Sequence, residues 1–150
     1  MCLLLNSNNR PMNYTDIQIN DWLMCDDTPV QITEMTVNPA GKRFIYTTAK
    51  GGVLAIYSLR PLLLNFNTMH LAGFTIDTAT DPDGEKCGVG VILADNGSPK
   101  YVLYPDINDA HCDSFTLYCN DTYGNIEMRY LGVRHVHEVQ HIINLHNAKA

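Results

Sequence analysis

Short apolar runs separated by turn-forming residues fill most of this 150-residue chain, and their spacing predicts β-strands. Turn formers follow the runs closely, as at Asp26–Pro29 and Gly51–Gly52. Closely spaced short strands with tight turns predict a small, curled antiparallel sheet of the SH3-like barrel type in the N-terminal part. The runs that predict this sheet are residues 17–24, 30–37, 44–47 and 53–57.

Two β-hairpins are predicted in the C-terminal half. In the first, the runs 89–93 and 101–104 flank Asn96-Gly97. This dipeptide favours a two-residue hairpin turn, because both turn residues there take positive φ. The second hairpin joins residues 114–119 to residues 126–130 around a polar, glycine-containing turn.

Two helices complete the prediction. Asn65 is a suitable N-cap for a short helix over about residues 66–72, which Gly73 would end in the left-handed conformation. Residues 75–86 are predicted to be a polar connection without regular structure. Apolar residues at helical spacing predict a final helix over about 134–147.

The chain contains no internal repeat and no low-complexity linker. A single α+β domain over residues 1–150 is therefore predicted, with residues 1–15 as a loose N-terminal arm. Its elements would be the barrel-like sheet, the short middle helix, the two hairpins and the C-terminal helix.

Composition excludes some classes of function. The net charge of −6, from 10 basic and 16 acidic residues, disfavours a nucleic-acid partner, which needs basic residues to displace phosphate counterions. No apolar run approaches the length of a membrane span, and the apolar start is too short for a secretory signal. Five scattered cysteines without a C-x-x-C pair predict free thiols in a reducing compartment, hence a cytoplasmic protein.

The C-terminal helix carries the one motif with a specific chemistry. His137–His141 reads H-E-x-x-H, in which two histidines at i and i+4 bind zinc and the glutamate is the general base. On a helical wheel His137 and His141 lie together, nearly opposite the apolar arc, which predicts that both point away from the core. The motif makes zinc the candidate cofactor, with Glu138 as the candidate catalytic residue.

A catalytic zinc site needs a third protein ligand, and the sequence following the motif supplies none. The extended pattern requires glycine at 144 and histidine at 147, where the chain has Asn144 and Asn147. A third ligand would have to come from upstream, where the candidates are His70, His111, Cys112 and Asp113. The polar segment Asp106–Asp113 is a second candidate for binding a divalent ion, although a loop of turn-forming residues is the favoured interpretation.

Three segments resemble a family of small uncharacterised proteins of gut anaerobes and their phages. Pro61–Phe74 aligns without gaps with that family's P-I-P-L-T-P-E-x-L-x-x-x-G-F segment, although the later prolines and the glutamate are replaced. His135–Ile142 resembles its Y-V-H-E-L-Q-N-L segment, and Ile19–Leu23 resembles its I-G-D-W-V start. In this family the His-Glu pair is usual, whereas the second histidine is normally asparagine. The resemblance thus implies that the helix has a structural role and that the H-E-x-x-H pattern arises from a single substitution, of histidine for asparagine at position 141.

These observations favour a non-enzymatic accessory or interaction protein of phage or mobile-element type, without a cofactor. It would act in the host cytoplasm or in the virion. Its partner would be a protein, bound through sheet edges or exposed tyrosines, with no nucleic acid or membrane involved. The alternative is a zinc-dependent metallohydrolase with His137 and His141 as ligands and Glu138 as base.

Overall fold

The computed structural model describes residue 12 and residues 16–38, 43–48, 53–55, 58–80, 84–106 and 114–148. It contains ten β-strands, a short 3-10 helix and a C-terminal α-helix in this part, which confirms the predicted α+β class. The chain divides into two compact units after Leu63. Of the predicted arm, only Met12 is described before residue 16, and it is buried. The prediction of a single domain stays a prediction.

The N-terminal unit is an antiparallel sheet in the order β4-β3-β2-β1-β5. Each of the four predicted runs overlaps one of the strands β1 to β4. The strand β5 was not predicted, because three residues are too few to show a periodicity. Among the described residues β4 and β5 end the strand order, and no strand pairing joins them into a closed barrel. The strands are β1 (Trp22–Cys25), β2 (Thr28–Asn38), β3 (Arg43–Thr48), β4 (Val53–Ala55) and β5 (Leu59–Pro61).

The long strand β2 belongs to both halves of this sheet. Its first residues pair with β1, and from Ile32 onward it pairs with β3. The register shifts between Ile32 and Glu34, which marks a bulge at this change of partner. Below it lies a small core of Met12, Ile17, Leu23, Ile32 and Leu59.

The C-terminal unit is a five-stranded antiparallel meander in the order β10-β9-β8-β7-β6. It contains both predicted hairpins. The predicted polar connection over 75–86 is wrong at its start, because Thr75–Thr80 pairs with β7 as an edge strand. Its side chains are mostly polar and exposed, so the sequence shows no hydrophobic pattern that would predict a strand here. The strands are β6 (Thr75–Thr80), β7 (Lys86–Leu93), β8 (Pro99–Pro105), β9 (Phe115–Asn120) and β10 (Ile126–Val133).

The β7–β8 turn lies where Asn96-Gly97 predicts it, but its geometry differs. Gly97 has φ of 85°, whereas Asn96 is not among the described residues with positive φ. The Gly97 N–H donates to the Ala94 carbonyl at 2.9 Å, and the Ala94 N–H donates to the Ser98 carbonyl at 2.8 Å. This is the three-residue loop that ends in a left-handed glycine. The Asn96 side chain favours it by accepting a hydrogen bond from the Ser98 N–H at 3.0 Å.

The middle helix is a single 3-10 turn, Met69–Ala72, which is shorter than predicted. Gly73, with φ of 97°, ends it as expected. Asn65 does not cap this helix; its Oδ1 accepts the Asn67 N–H at 2.8 Å in a preceding turn. The C-terminal helix α1 (Val136–Ala148) confirms the other prediction and contacts both the 3-10 helix and β9.

The meander buries apolar residues on both faces. Phe115, Leu117 and Cys119 alternate along β9 and are at most 1% exposed, so they share one face. Tyr101 and Leu103 lie beside Cys119 and Leu117 on the same face. The opposite face carries a cluster of Val89, Val91 and Val102 with Tyr104 and Tyr118 packed against it. No helix in the described part has the length and apolarity needed to cross a membrane.

Candidate functional site

The two histidines of the H-E-x-x-H motif are neighbours on α1. The ring centroids of His137 and His141 lie 5.4 Å apart in an edge-on arrangement. However, the expectation that His137 points away from the core is wrong, because it is only 7% exposed. The His135 ring stacks on His137 at 5.8 Å, so neighbours before and after His137 enclose it. The helical wheel treats α1 alone and therefore does not include His135, the residue before the helix that stacks on His137.

Glu138, the predicted general base, lies in the first turn of α1 and is hydrogen-bonded to His135. Its Oε1 lies 2.6 Å from His135 Nδ1. Burial raises the pKa of Glu138, but the hydrogen bond and charge of His135, with His137 nearby, outweigh burial and hold the pKa below its ordinary value. Since a general base works best with a pKa near the operating pH, this environment disfavours that role. A carboxylate in the first helical turn instead stabilises the helix N-terminus.

Replacing Glu138 by glutamine is expected to remove a pH-dependent part of the stability. Because the folded-state pKa lies below the ordinary 4.5, this contribution is present above that value and is lost as pH falls through the folded pKa. The side chain is 40% exposed, so the expected loss at neutral pH is small, at most about 1 kcal/mol. Urea unfolding at several pH values between about 3 and 7 measures it.

The exposed carboxylate Glu34 on β2 gives a matched control. Glu34→Gln is expected to leave the difference between pH 4 and pH 7 as in the natural chain, within about 0.5 kcal/mol. An equal flattening of the pH dependence in both variants would contradict a specific role for Glu138.

The structure describes only one of the four upstream candidates for a third ligand. His70 is exposed on the 3-10 helix, and His111, Cys112 and Asp113 lie outside the described residues. Within the described ranges, no group of three or more His, Cys, Asp or Glu side chains could hold a metal ion. The zinc site and the hydrolase alternative stay predictions.

Asp106, which begins the predicted polar segment, is hydrogen-bonded to residues at the start of β9. Its two carboxylate oxygens accept hydrogen bonds from Ser114 Oγ at 2.7 Å and Thr116 Oγ1 at 2.6 Å. Its N–H also donates to the Ser114 carbonyl at 3.0 Å. Asp106 therefore joins the end of β8 to the start of β9, while residues 107–113 lie outside the described part.

A cleft of about 510 Å³ lies between the β7–β8 and β9–β10 turns and the last turns of α1. Its volume falls within the range of roughly 300–1,000 Å³ that is typical of ligand sites. The sequence did not predict it, since its walls come from positions about fifty residues apart with no shared motif. The residues that line it are Ile92, Leu93, Ala94, Asp95, Asn96, Lys100, Tyr101, Asn120, Asp121, Thr122, Glu127, Ile143, His146 and Asn147.

Tyr101, which lines this cleft, is hydrogen-bonded to residues at the end of α1. Its hydroxyl donates to Asn147 Oδ1 at 2.6 Å and lies 3.0 Å from His146 Nδ1. Because a hydroxyl has one proton, Tyr101 accepts from His146 when it donates to Asn147. Burial, with Cys119 and Glu127 nearby, raises the pKa of Tyr101. The phenol is therefore a protonated anchor and not a nucleophile.

The neighbouring Cys119 is equally unsuited to catalysis. Burial, aided by the charge of Glu127, raises the pKa of its thiol to about 11. Since the thiolate is the reactive form, Cys119 is inert at neutral pH.

The lining of the cleft is acidic. Asp95, Asp121 and Glu127 contribute three carboxylates, against one lysine ammonium from Lys100. Hydrogen bonds from the N–H groups of Asn125 and Tyr123 lower the pKa of Asp121 and keep it ionised. The Lys100 ammonium lies 5.6 Å from the centroid of the Tyr101 ring. The cleft thus combines negative charge with an aromatic wall beside which a cation already lies.

An exposed apolar strip adjoins this cleft. It consists of Tyr123 in the β9–β10 turn and Ile126, Met128 and Leu131 on β10, which are 85%, 63%, 47% and 71% exposed. We call these four residues the β10 strip. β10 is an edge strand of the meander, and its residue Glu127 also lines the cleft.

Comparison with known proteins identifies no relative of this chain: no family model, no curated protein and no solved structure matches it at a significant level.

Proposed function

We propose that this chain is a non-enzymatic interaction protein that binds another protein along the β10 edge. The observation that carries the proposal is the β10 strip, with four large apolar or aromatic side chains exposed along one sheet edge. An edge strand has a row of backbone N–H and C=O groups directed away from its sheet, and an extended partner segment can pair with them. Apolar side chains exposed on the edge strand then add burial to that pairing.

The bulges of β10 limit where a partner strand pairs. The register with β9 shifts between Ile126 and Met128 and again between Tyr130 and Val133. Regular pairing is confined to Met128–Tyr130, and Gly132 bends the strand with φ of 67°. Short, bulged edges discourage pairing between identical sheets. We therefore propose that the occupant is a short extended segment of a different protein, with apolar side chains toward the β10 strip.

Photocrosslinking tests this proposal in the cells that naturally contain the chain. With p-benzoylphenylalanine in place of Leu131, we expect one defined protein to be crosslinked. The same group in place of Thr78, an exposed residue of the opposite edge strand β6, should not yield that product. The crosslinked protein is then purified, and its affinity for the chain is measured by calorimetry.

In that measurement, Leu131→Asp should weaken binding by at least about tenfold, because burying an unpaired carboxylate costs more than 1.4 kcal/mol. Thr78→Asp should leave the affinity unchanged within about twofold, as an exposed substitution outside the interface. Equal crosslinking from both edges, or equal weakening by both substitutions, would overturn the proposal.

We further propose that the N-terminal unit is an SH3-like barrel. Two features support this proposal. The strand order places β5 beside β1 and puts β4 at the other end. The bulged β2 pairs with β1 in its first half and with β3 in its second, the device by which one strand turns between two halves of a curled sheet.

We propose a cytoplasmic location, in the host cell or the virion if the chain is phage-encoded. Cys25, Cys87 and Cys119, the three cysteines in the described part, form no disulfide with one another, and free thiols are typical of a reducing compartment. The phage or mobile-element association rests on the three resembling segments alone.

A further inference from the structure

We propose that the cleft beside β10 receives an arginine side chain of the protein that pairs with this edge. This inference rests on the proposed function and deepens it by naming the chemistry of the partner. Glu127 makes the connection, because it belongs to β10 and also lines the cleft. A segment lying along β10 therefore passes directly by the entrance of the cleft.

Charge selects a cationic group. The three carboxylates of the lining face one lysine ammonium, and the chain as a whole carries −6. Asp95 and Glu127 are exposed, and Asp121 is held ionised by its hydrogen bonds. Carboxylates pair with a guanidinium through two parallel hydrogen bonds, which favours arginine over the point charge of a lysine.

A buried acceptor gives an independent reason for a donor-rich ligand. Asn120 lines the cleft and is only 7% exposed. Its Nδ2 donates to the Pro99 carbonyl at 2.9 Å, but its buried Oδ1 accepts no hydrogen bond from any described residue. Buried acceptors are normally satisfied, and a guanidinium offers five N–H donors.

The walls suit the rest of an arginine side chain. Ile92 and Ile143 offer apolar surface to its methylene groups. Tyr101 also lines the cleft, and the Lys100 ammonium lies 5.6 Å from the centroid of its ring. The volume of about 510 Å³ leaves space for this side chain without displacing the Tyr101 hydrogen bonds to His146 and Asn147.

Titration followed by two-dimensional amide NMR tests the inference with the intact chain. The probe is N-acetyl-arginine-N-methylamide, and its control is the citrulline analogue, which has the same shape without the charge. We expect saturable shifts at Asn120, Asp121 and Glu127 with a millimolar dissociation constant. Binding of the citrulline analogue should be at least about fivefold weaker, the factor for one exposed ion pair of about 1 kcal/mol.

Substitutions locate the binding within the cleft. Glu127→Gln should weaken arginine binding by about threefold to fivefold, whereas Glu34→Gln on β2 should not change it. Asn120→Ala, checked for folding by its amide spectrum, should weaken binding as well. Equal affinity for arginine and citrulline, or an unchanged affinity in Glu127→Gln, would overturn the inference.

A titration with spermidine distinguishes a cleft that binds an arginine side chain from one that binds a free polycation. The inference expects spermidine to be displaced by the arginine probe, and tighter binding of spermidine than of arginine would overturn it in favour of a small-molecule site.

The outcome of these titrations is independent of the crosslinking experiment. A Leu131 crosslink without arginine binding would leave the proposed function intact and remove this inference alone. Failure of the crosslink would remove the proposed function, whatever the probes do.

Discussion

Phe115→Ala is expected to lower the free energy of unfolding by about 3–5 kcal/mol. Phe115 begins β9, is 1% exposed and packs edge-on against Phe66 with ring centroids 5.6 Å apart. It also lies between Pro105 of β8 and Val133 of β10 in the sheet register. Truncation removes the buried ring and leaves a cavity that the three strands cannot close without changing their hydrogen-bonding register.

Urea unfolding followed by far-ultraviolet circular dichroism measures this loss. The control is Tyr123→Ala, which removes an aromatic ring of similar size from a side chain that is 85% exposed. That change is expected to stay within about 0.5 kcal/mol. A loss below about 1.5 kcal/mol for Phe115→Ala, or equal losses for both variants, would show that Phe115 is not a core residue.

Gly90→Val is expected to destabilise the chain by about 1–3 kcal/mol through overpacking. Gly90 lies on β7, and a Cβ added there would stand 2.6 Å from Met69 Sδ and 3.3 Å from Phe74 Cδ1. Met69 is fully buried and Phe74 is 3% exposed, so neither side chain can move aside into solvent. Either the Met69 side chain would have to repack within the core or the 3-10 helix that carries it would have to shift away from the sheet.

The control for Gly90 is on the same strand. Gly88→Ala places its Cβ 3.5 Å from Phe66, an ordinary contact distance, and its effect should be smaller than that of Gly90→Val by at least about 1 kcal/mol. Adding Met69→Ala to Gly90→Val should recover part of the loss, because the second change makes room for the first. Additive losses in the double variant would contradict direct overpacking.

Local signals predicted the elements whose residues are close in the chain. The turn at Gly97 and the equivalent turn at Gly124 both have a glycine in left-handed backbone, and the strands beside them are short runs rich in apolar residues. The helix α1 has apolar residues at helical spacing over thirteen residues, which is long enough for the helical period to be recognised in the sequence. These features depend on sterics and burial within a few residues.

Other elements have no local signal. The edge strand β6 consists largely of threonine and aspartate and becomes a strand because β7 offers it backbone partners. β5 is only three residues long and exists through its pairing with β1. Both strands depend on hydrogen bonds to distant segments, which single-sequence patterns do not record.

The candidate site divides in the same way. The sequence by itself determined the α+β class, the two hairpins and the nearness of His137 to His141, because each follows from local backbone geometry. Only the tertiary structure decided that His137 is buried, that Glu138 bonds to His135, and that Asn120 and Glu127 meet α1 at an acidic cleft. Burial and electrostatic environment depend on which distant segments pack together, and that is a property of the folded chain alone.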